Sequence, residues 1–227
     1  MDQLTLLLQR SHLFCNLSEE VIEKEIMPHG TLRSISKGQY LINFQERIDS
    51  FGIVISGKIN TMHIYDNGNY GIMDTMGTGS IFAVDLVCTK SRTSPYYAVA
   101  VVPSQVLFFP ASLLFCPGIL TKQTRIQVQN SLLTFIADEN IRKEYRLAIL
   151  SQKGIRDRIM TFLTMQANKR ATNTFTVPFN RDEMASYLCV NRTNLSHELS
   201  LMEQEGIIQF TRNTFTLLHW DHKIPES

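Results

Sequence analysis

Residues 180–208, NRDEMASYLCVNRTNLSHELSLMEQEGII, predict two short helices joined by a tight turn. The side chain of Asn180 suits the cap of the first helix, and Glu183, three residues later, completes a capping box. The apolar residues of this helix recur at helical spacing, and its small alanine allows a second helix to cross closely: Met184, Ala185 and Leu188. Residues 189–191 predict the turn, with Asn191 as the cap of the second helix.

The second helix has an apolar stripe and a polar face. Its stripe consists of Leu195, Leu199 and Met202. The polar face suits a DNA groove, because Arg side chains reach guanine edges or phosphates while Ser and His hydrogen-bond to bases or backbone. The predicted DNA contacts of this helix are Asn191, Arg192, Thr193, Asn194, Ser196 and His197.

A hairpin is predicted directly after the second helix. The helix is expected to end near Gly206, and residues 208–211, 212–213 and 214–217 have the pattern of strand, turn and strand. A hairpin in this position is a wing, and its turn adds Arg212 to the predicted DNA contacts. Arg181, at the start of the first helix, is also among them. Together the elements predict a winged helix-turn-helix.

The charge of this region argues against a strongly basic footprint. Residues 151–227 contain nine Lys plus Arg and eight Asp plus Glu, so the region is nearly neutral. A capped helical pair is also found in small domains that do not bind DNA. DNA binding therefore requires that Arg181, Arg192 and Arg212 form a local positive stripe, with the acids of residues 198–205 turned away from phosphate.

These residues support a family resemblance. Residues 180–208, with the wing after them, resemble the DNA-binding domain of the Crp/Fnr family of catabolite-activator-type transcription regulators. Two differences concern recognition: His197 stands where many members have a guanine-reading Arg, and Cys189 replaces the usual turn glycine. The first leaves the target sequence open, and the second requires Cys189 to adopt a conformation that glycine normally relieves.

Composition indicates an ordinary soluble protein of one large or two modest domains. The chain has 227 residues, of which 44% are hydrophobic and 19% charged, with a formal net charge of +1. No apolar run is long enough for a membrane span, and the N-terminus lacks a basic start and cleavage site, so we expect a cytoplasmic protein without membrane contact. The scattered cysteines indicate buried thiols rather than disulfides or zinc: Cys15, Cys88, Cys116 and Cys189.

The N-terminal half has the pattern of a β-roll. Runs of strand length recur between residues 31 and 110, broken by turns at residues 56–57 and 66–69, after a short helix that Ser18 is predicted to cap. The strongest runs are residues 40–42, 51–55, 58–65, 70–73 and 98–102. The Crp/Fnr resemblance extends here, because residues 37–42, 54–59 and 77–82 resemble landmarks of the cyclic-nucleotide-binding β-roll.

The contacts that the resemblance implies for a cyclic nucleotide are missing. Nucleotide-binding members carry a Gly-Glu pair that grips the ribose and an Arg-Ser pair that neutralises the phosphate. This chain has Ala83-Val84 and Ser94-Pro95 at those positions, with Arg92 nearby. We therefore expect an effector other than cyclic AMP.

A small organic effector is expected in an apolar and aromatic pocket of the roll. The candidate lining is Ile81, Phe82, Ala83, Val84, Tyr96 and Tyr97. An equally open interpretation is that these residues form the core of an unliganded roll. No cofactor is expected, since an iron-sulfur cluster needs more N-terminal cysteines than Cys15, and nothing marks a haem pocket around His12, His29 or His63.

Residues 118–150 contain few helix breakers and predict one long dimerisation helix. Residues seven apart form part of a coiled-coil stripe, with two companion positions: Ile126, Leu133, Asn140 and Leu147, with Ile136 and Leu150. Gln129 and Lys143 occupy other companion positions, so the stripe could instead pack on the roll. The family resemblance implies a dimer helix in this place.

The sequence therefore predicts an α+β chain of three parts: a β-roll sensor over residues 1–117, a dimerisation helix and hinge over 118–150, and a winged helix-turn-helix over 151–227. Its expected partners are double-stranded DNA, a second copy, a small-molecule effector and RNA polymerase. Metal-ligand spacing, a nucleophile elbow and a phosphate loop are absent from the sequence, so no enzyme is expected. The alternative is a non-enzymatic β-roll interaction protein whose C-terminal module binds a protein.

Overall fold

The computed structural model describes residues 3–64 and 70–220. The chain divides into two compact units, Met1–Asp138 and Glu139–Ser227, and the longest helix contributes to both. The predicted turn at residues 66–69 lies outside the described residues. Among the helices that are described, none is both long and apolar enough to cross a membrane.

The N-terminal unit begins with short helical elements. They are α1 (Gln3–Arg10), α2 (Glu19–Val21), a π-helical turn (Ile22–Ile26) and a 3-10 turn (Met27–His29). The hydroxyl of Ser18 accepts a hydrogen bond from the Val21 amide at 3.4 Å, which confirms Ser18 as the cap of α2. Cap and helix lie close together in the sequence, so this feature is predictable from local residues.

Two antiparallel four-stranded sheets form the roll. One has the order β1-β8-β3-β6 and the other β2-β7-β4-β5. The strands are β1 (Thr31–Ile35), β2 (Tyr40–Ile42), β3 (Ser50–Ser56), β4 (Ile59–Ile64), β5 (Tyr70–Met76), β6 (Ile81–Phe82), β7 (Tyr97–Ala100) and β8 (Ser104–Pro110). The predicted strands are confirmed with small changes at their ends, and β1, β6 and β8 are additional.

The roll core is aromatic where the sheet meets the helices. Phe109 of β8 lies 5.5 Å from both Phe14 and Phe51, measured between ring centroids, and all three side chains are fully buried. Gly52 gives the Phe82 ring room to cross β3, because a Cβ at Gly52 would lie 2.5 Å from that ring. The strand interior therefore requires glycine here.

The helices α3 (Val84–Cys88) and α4 (Ser112–Phe115) follow in this unit, and α5 (Lys122–Leu150) begins in it. Glu25 fixes the start of α5, since its carboxylate accepts hydrogen bonds from the Thr121 amide at 2.8 Å and the Thr124 hydroxyl at 3.0 Å. Farther along, the side chain of Gln129 donates to the carbonyl of Leu114 at 2.9 Å. One face of α5 is thereby held on the roll.

The C-terminal unit contains α6 (Ile155–Arg170), β9 (Thr174–Thr176), α7 (Arg181–Tyr187), α8 (Arg192–Gln204), β10 (Ile208–Thr211) and β11 (Thr214–Leu217). The helices α7 and α8 and the hairpin β10-β11 confirm the predicted winged helix-turn-helix. The additional strand β9 pairs with β11 and makes the wing three-stranded. Gly206 follows the end of α8 with a φ of +71°, the left-handed conformation that glycine provides at a helix end.

The cysteine prediction is wrong. Cys15, Cys88, Cys116 and Cys189 are all free and exposed. The scattered spacing excluded paired cysteines but carried no information about burial. Among the described residues, no cluster of three or more His, Cys, Asp or Glu is placed to hold a metal ion.

Candidate DNA-binding surface and sensor pocket

The first helix of the motif starts at a complete capping box. The Asn180 side chain accepts a hydrogen bond from the Glu183 amide, the Glu183 carboxylate accepts one from the Asn180 amide, and both distances are 2.9 Å. Two otherwise unpaired amides at the start of α7 are thereby satisfied.

In the turn between α7 and α8, Cys189 adopts the left-handed conformation that was expected where the family pattern has glycine. Its φ is +52°, a left-handed value that costs a residue other than glycine about 1 kcal/mol. The guanidinium of Arg158 on α6 donates to the carbonyls of Leu188 and Cys189 at 3.3 and 3.4 Å. Contacts from a third helix therefore hold the turn in place.

Helix α8 presents the predicted polar face. Its apolar stripe of Leu195, Leu199 and Met202 is fully buried. On the other side, Ser196 is partly exposed and the remaining predicted contacts are exposed: Asn191, Arg192, Thr193, Asn194 and His197. The Asn191 side chain also caps α8, accepting from the Thr193 amide at 2.8 Å. Asn191 therefore has a structural role whether or not it contacts DNA.

Arg192 is held by an acid of the preceding helix. Its Nη1 lies 3.1 Å from both carboxylate oxygens of Asp182. The sequence prediction includes Arg192 but not Asp182. The two residues are ten positions apart and come together only across the turn.

Arg181 lies under the wing. Its guanidinium stacks over Phe210 at 5.2 Å and Phe215 at 5.8 Å, and its Nη2 donates to the Arg212 carbonyl at 3.1 Å. Burial lowers the pKa of Arg181, and the nearby Arg192 cation lowers it further. The side chain therefore ties the wing tip to α7 and places a second cation near Arg192.

A groove lies between the start of α7 and the wing tip. Its volume is about 460 Å³. Two of the predicted DNA contacts, Arg181 and Arg212, lie in its lining. The complete lining is Pro178, Phe179, Asn180, Arg181, Met184, Arg212, Asn213 and Phe215. Arg212 occupies the hairpin turn with a φ of +56° and is exposed.

Arg156 of α6 forms ion pairs with Glu198 of α8 and with Glu205, the residue after the end of α8. Its Nε donates to Glu198 at 2.6 Å, and its two terminal nitrogens donate to Glu205 at 2.7 and 2.9 Å. These hydrogen bonds lower the pKa of Glu205, so this carboxylate stays ionised and paired. The region is nearly neutral in total, but two of its acids, Glu198 and Glu205, are paired with Arg156, which lies outside the helix-turn-helix.

In the roll, the predicted effector-pocket residues are divided between different environments. Residues 81–84 are buried in the main core. Tyr96 packs against the same core, and burial, followed by the Asp85 and Asp74 carboxylates, raises the pKa of its phenol. Tyr97 instead stacks with Phe44 and contacts Tyr40, both exposed. The two tyrosines therefore lie in different surroundings.

A groove of about 480 Å³ lies along β1, β2 and the segment before β3. It shares only Phe82 with the predicted effector set. Its charged residues are Arg33, Glu46, Arg47 and Asp49. The effector site remains a prediction.

The positions of the missing nucleotide contacts hold side chains with other roles. Val84 and Ser94 are 2% and 1% exposed, and the Ser94 hydroxyl donates to the Tyr96 carbonyl at 2.8 Å. Arg92 is paired with Asp49 at 3.0 Å. This cation is therefore engaged by a carboxylate within the roll.

We predict that cyclic AMP does not raise the melting temperature of the protein. A ligand present at about 100 times its Kd stabilises the folded state by about 2.7 kcal/mol, which amounts to several degrees for a domain of this size. The measurement is a thermal melt with about 1 mM cyclic AMP, with adenosine as the control. A rise of several degrees with cyclic AMP alone would refute the interpretation of Val84 and Ser94.

The exposed face of α5 contains most of the predicted dimer stripe. Leu133 is 70% exposed, Leu147 62% and Ile126 45%, and Asn140 is also exposed. Ile136 is partly buried and packs against the roll core, and its place in the dimer stripe stays a prediction. The apolar residues of α5 lie on two sides of the helix, and the helical spacing alone does not indicate which side packs against the roll. Leu150 is partly exposed, and Ile141 and Tyr145 are further exposed apolar residues.

Comparisons with known proteins agree with this arrangement. A family model described as "Cyclic nucleotide-binding domain" matches residues 32–115, and one described as "Crp-like helix-turn-helix domain" matches residues 157–222. The chain is similar to the transcriptional activator protein FnrA of Stutzerimonas stutzeri, with 25% identity over 185 residues that cover 78% of this chain and 72% of FnrA.

Two solved structures show the same fold. FixK2 from Bradyrhizobium japonicum is 20% identical, with a TM-score of 0.56 and coverage of 84% of this chain and 93% of FixK2. The catabolite activator protein of Thermus thermophilus is 18% identical, with a TM-score of 0.54 and coverage of 91% and 93%. At these identities the likeness concerns the fold alone.

Fold and surface together define a DNA-binding protein of the winged helix-turn-helix class, attached to a β-roll of the cyclic-nucleotide-binding type. The two matched domains and the similarity to FnrA indicate a transcription regulator of the Crp/Fnr type. The predicted fold class and the general function are thereby confirmed.

Proposed function

We propose that the protein binds a palindromic operator as a homodimer, with α8 of each copy in the major groove. The observation that carries the proposal is the exposed polar face of α8, with Arg192 near the second cation Arg181, while Arg156 pairs with the acids Glu198 and Glu205. Phosphate contacts from such a surface fix the register, and base contacts provide the sequence preference.

Dimerisation through the exposed face of α5 accounts for its apolar side chains. Leu133 lies seven positions after Ile126, and Leu147 lies seven positions after Asn140, as in a coiled-coil seam. Apolar residues of this exposure are otherwise costly to leave in water. Two copies paired along α5 present two α8 helices to half-sites one helical turn apart.

Control by a small molecule in the roll is part of the proposal, and the molecule is not cyclic AMP. The effector must bind one arrangement of the dimer more tightly than the other, because equal binding shifts no equilibrium. The protein acts in the compartment that holds the DNA, which we take to be the cytoplasm, and it catalyses no reaction. Contact with RNA polymerase stays a prediction, and the alternative of a protein-binding C-terminal module gains no support from the Crp-like match.

Replacing Arg192 tests the recognition surface. We expect Arg192→Ala to lower operator affinity by about 1–3 kcal/mol and to relax the preference at one base position. Arg192→Lys is the matched variant, because it keeps the charge but loses the planar fork that recognises guanine. It should retain affinity for random duplex and still lose operator preference. Equal operator binding by the wild type and both variants in fluorescence-anisotropy titrations would refute the assignment of Arg192.

A further inference from the structure

The ion pair between Asp182 and Arg192 lies on the proposed DNA-binding surface. Nη1 of Arg192 donates to both Asp182 oxygens at 3.1 Å, while the side chains remain 64% and 66% exposed. Within the described part of the chain, the Asp182 carboxylate makes hydrogen bonds only to Arg192. The neighbouring Glu183, by contrast, is used in the capping box.

Stability does not explain this pair. Ion pairs between exposed side chains contribute between about 0 and 1 kcal/mol to folding. A carboxylate beside the DNA surface also weakens binding, because it repels the phosphates that supply most of the non-specific affinity. The place of Asp182 in the first turn of α7 adds a similarly small amount to folding stability, about 0.3–1 kcal/mol. Asp182 therefore opposes DNA affinity with at most a small gain in folding stability.

The geometry leaves one edge of the guanidinium available. Asp182 engages Nη1, while Nη2 and Nε of Arg192 have no hydrogen-bond partner among the described residues. Guanine presents two acceptors, O6 and N7, that match two adjacent Arg donors. A guanidinium held at Nη1 can still donate from Nη2 and Nε, and its side chain is restrained from turning to a phosphate.

We propose that Asp182 is a specificity-determining positioning residue, which holds Arg192 toward base edges and lowers its contribution to phosphate binding. Non-specific affinity is thereby reduced while discrimination between sequences increases. This inference rests on the proposed DNA-reading role of Arg192.

The test compares full-length wild type and Asp182→Asn on an operator duplex, obtained by selection with the wild type, and on a random duplex of equal length. We expect Asp182→Asn to bind the random duplex about 3–10 times more tightly, with a salt dependence steeper by about one unit of slope. The ratio of operator to random affinity should fall about tenfold, within the range of one base contact.

Two controls separate positioning from charge. Asp157→Asn removes the same charge from an exposed position in the first turn of α6 and should leave the affinity ratio unchanged. In an Arg192→Ala background, Asp182→Asn should no longer change that ratio, because the coupled partner is gone.

The outcomes distinguish this inference from the proposed function. Suppose that the wild type prefers its operator. If Asp182→Asn then keeps the full ratio of operator to random affinity, or if Asp157→Asn lowers that ratio equally, positioning by Asp182 is refuted while the proposed function stands. If the wild type shows no preference for any duplex, the proposed function and this inference both fail.

Discussion

Replacing Leu133 by Asp is expected to convert the protein to a monomer and to lower its operator affinity by about 100-fold or more. Leu133 is 70% exposed in the single chain, at the centre of the residues spaced by seven on α5. Pairing two copies removes this side chain from water, which stabilises the dimer by about 2 kcal/mol for each fully buried leucine. In the variant, two carboxylates face each other in the same place, and their desolvation opposes association.

The loss of operator affinity follows from the loss of pairing. In a dimer, binding of one α8 helix brings the second to its half-site at a high effective concentration, which increases affinity by about 10²–10⁴. Sedimentation velocity measures the assembly, and anisotropy titration measures the affinity. Leu32→Asp is the matched control, because Leu32 is 49% exposed on β1 of the roll. A Leu133→Asp variant with the mass and operator affinity of the wild type would contradict dimerisation through α5.

Replacing Phe162 by Ala is expected to destabilise the C-terminal unit by about 3–5 kcal/mol. The side chain is 1% exposed, and its ring lies 5.5 Å from Tyr187 and 6.1 Å from Phe179. The substitution leaves a cavity between α6 and α7. A domain of this size has a total stability of about 5–15 kcal/mol, so this loss should lower the unfolding temperature of the C-terminal unit by more than about 10 °C.

Calorimetry of the full chain measures this effect. The N-terminal core cluster does not include Phe162, so the roll should retain its own transition while the transition of the C-terminal unit moves to lower temperature. Phe44→Ala is the control, since Phe44 is 44% exposed and should cost less than about 1 kcal/mol. A loss below about 1 kcal/mol for Phe162→Ala would contradict its placement in the core.

Features carried by nearby residues were predictable from the sequence. The capping box of Asn180 and Glu183, the cap at Asn191 and the hairpin turn at Arg212 each depend on residues within a few positions of one another. The strained turn at Cys189 was also predictable, because the family pattern places a glycine there.

Features that depend on tertiary contacts were not predictable. Asp182 meets Arg192 across the turn, and Arg156 meets Glu205 from 49 positions away. Arg181 has the same residue type as a DNA contact, but its position under the wing depends on Phe210 and Phe215. In each case the sequence gives the charge of the side chain, but its partner depends on how α6, α7, α8 and the wing pack together.

The central claim is that paired α8 helices recognise a specific operator. Selection of duplexes from a random DNA library by the full-length protein tests it most directly. We predict enrichment of an inverted repeat whose half-sites have centres about 10 base pairs apart or a multiple of that spacing. With Arg192→Ala, the preference at one base position of each half-site should be lost. Recovery of no common sequence, or of the same sequence by wild type and Arg192→Ala, would contradict the claim.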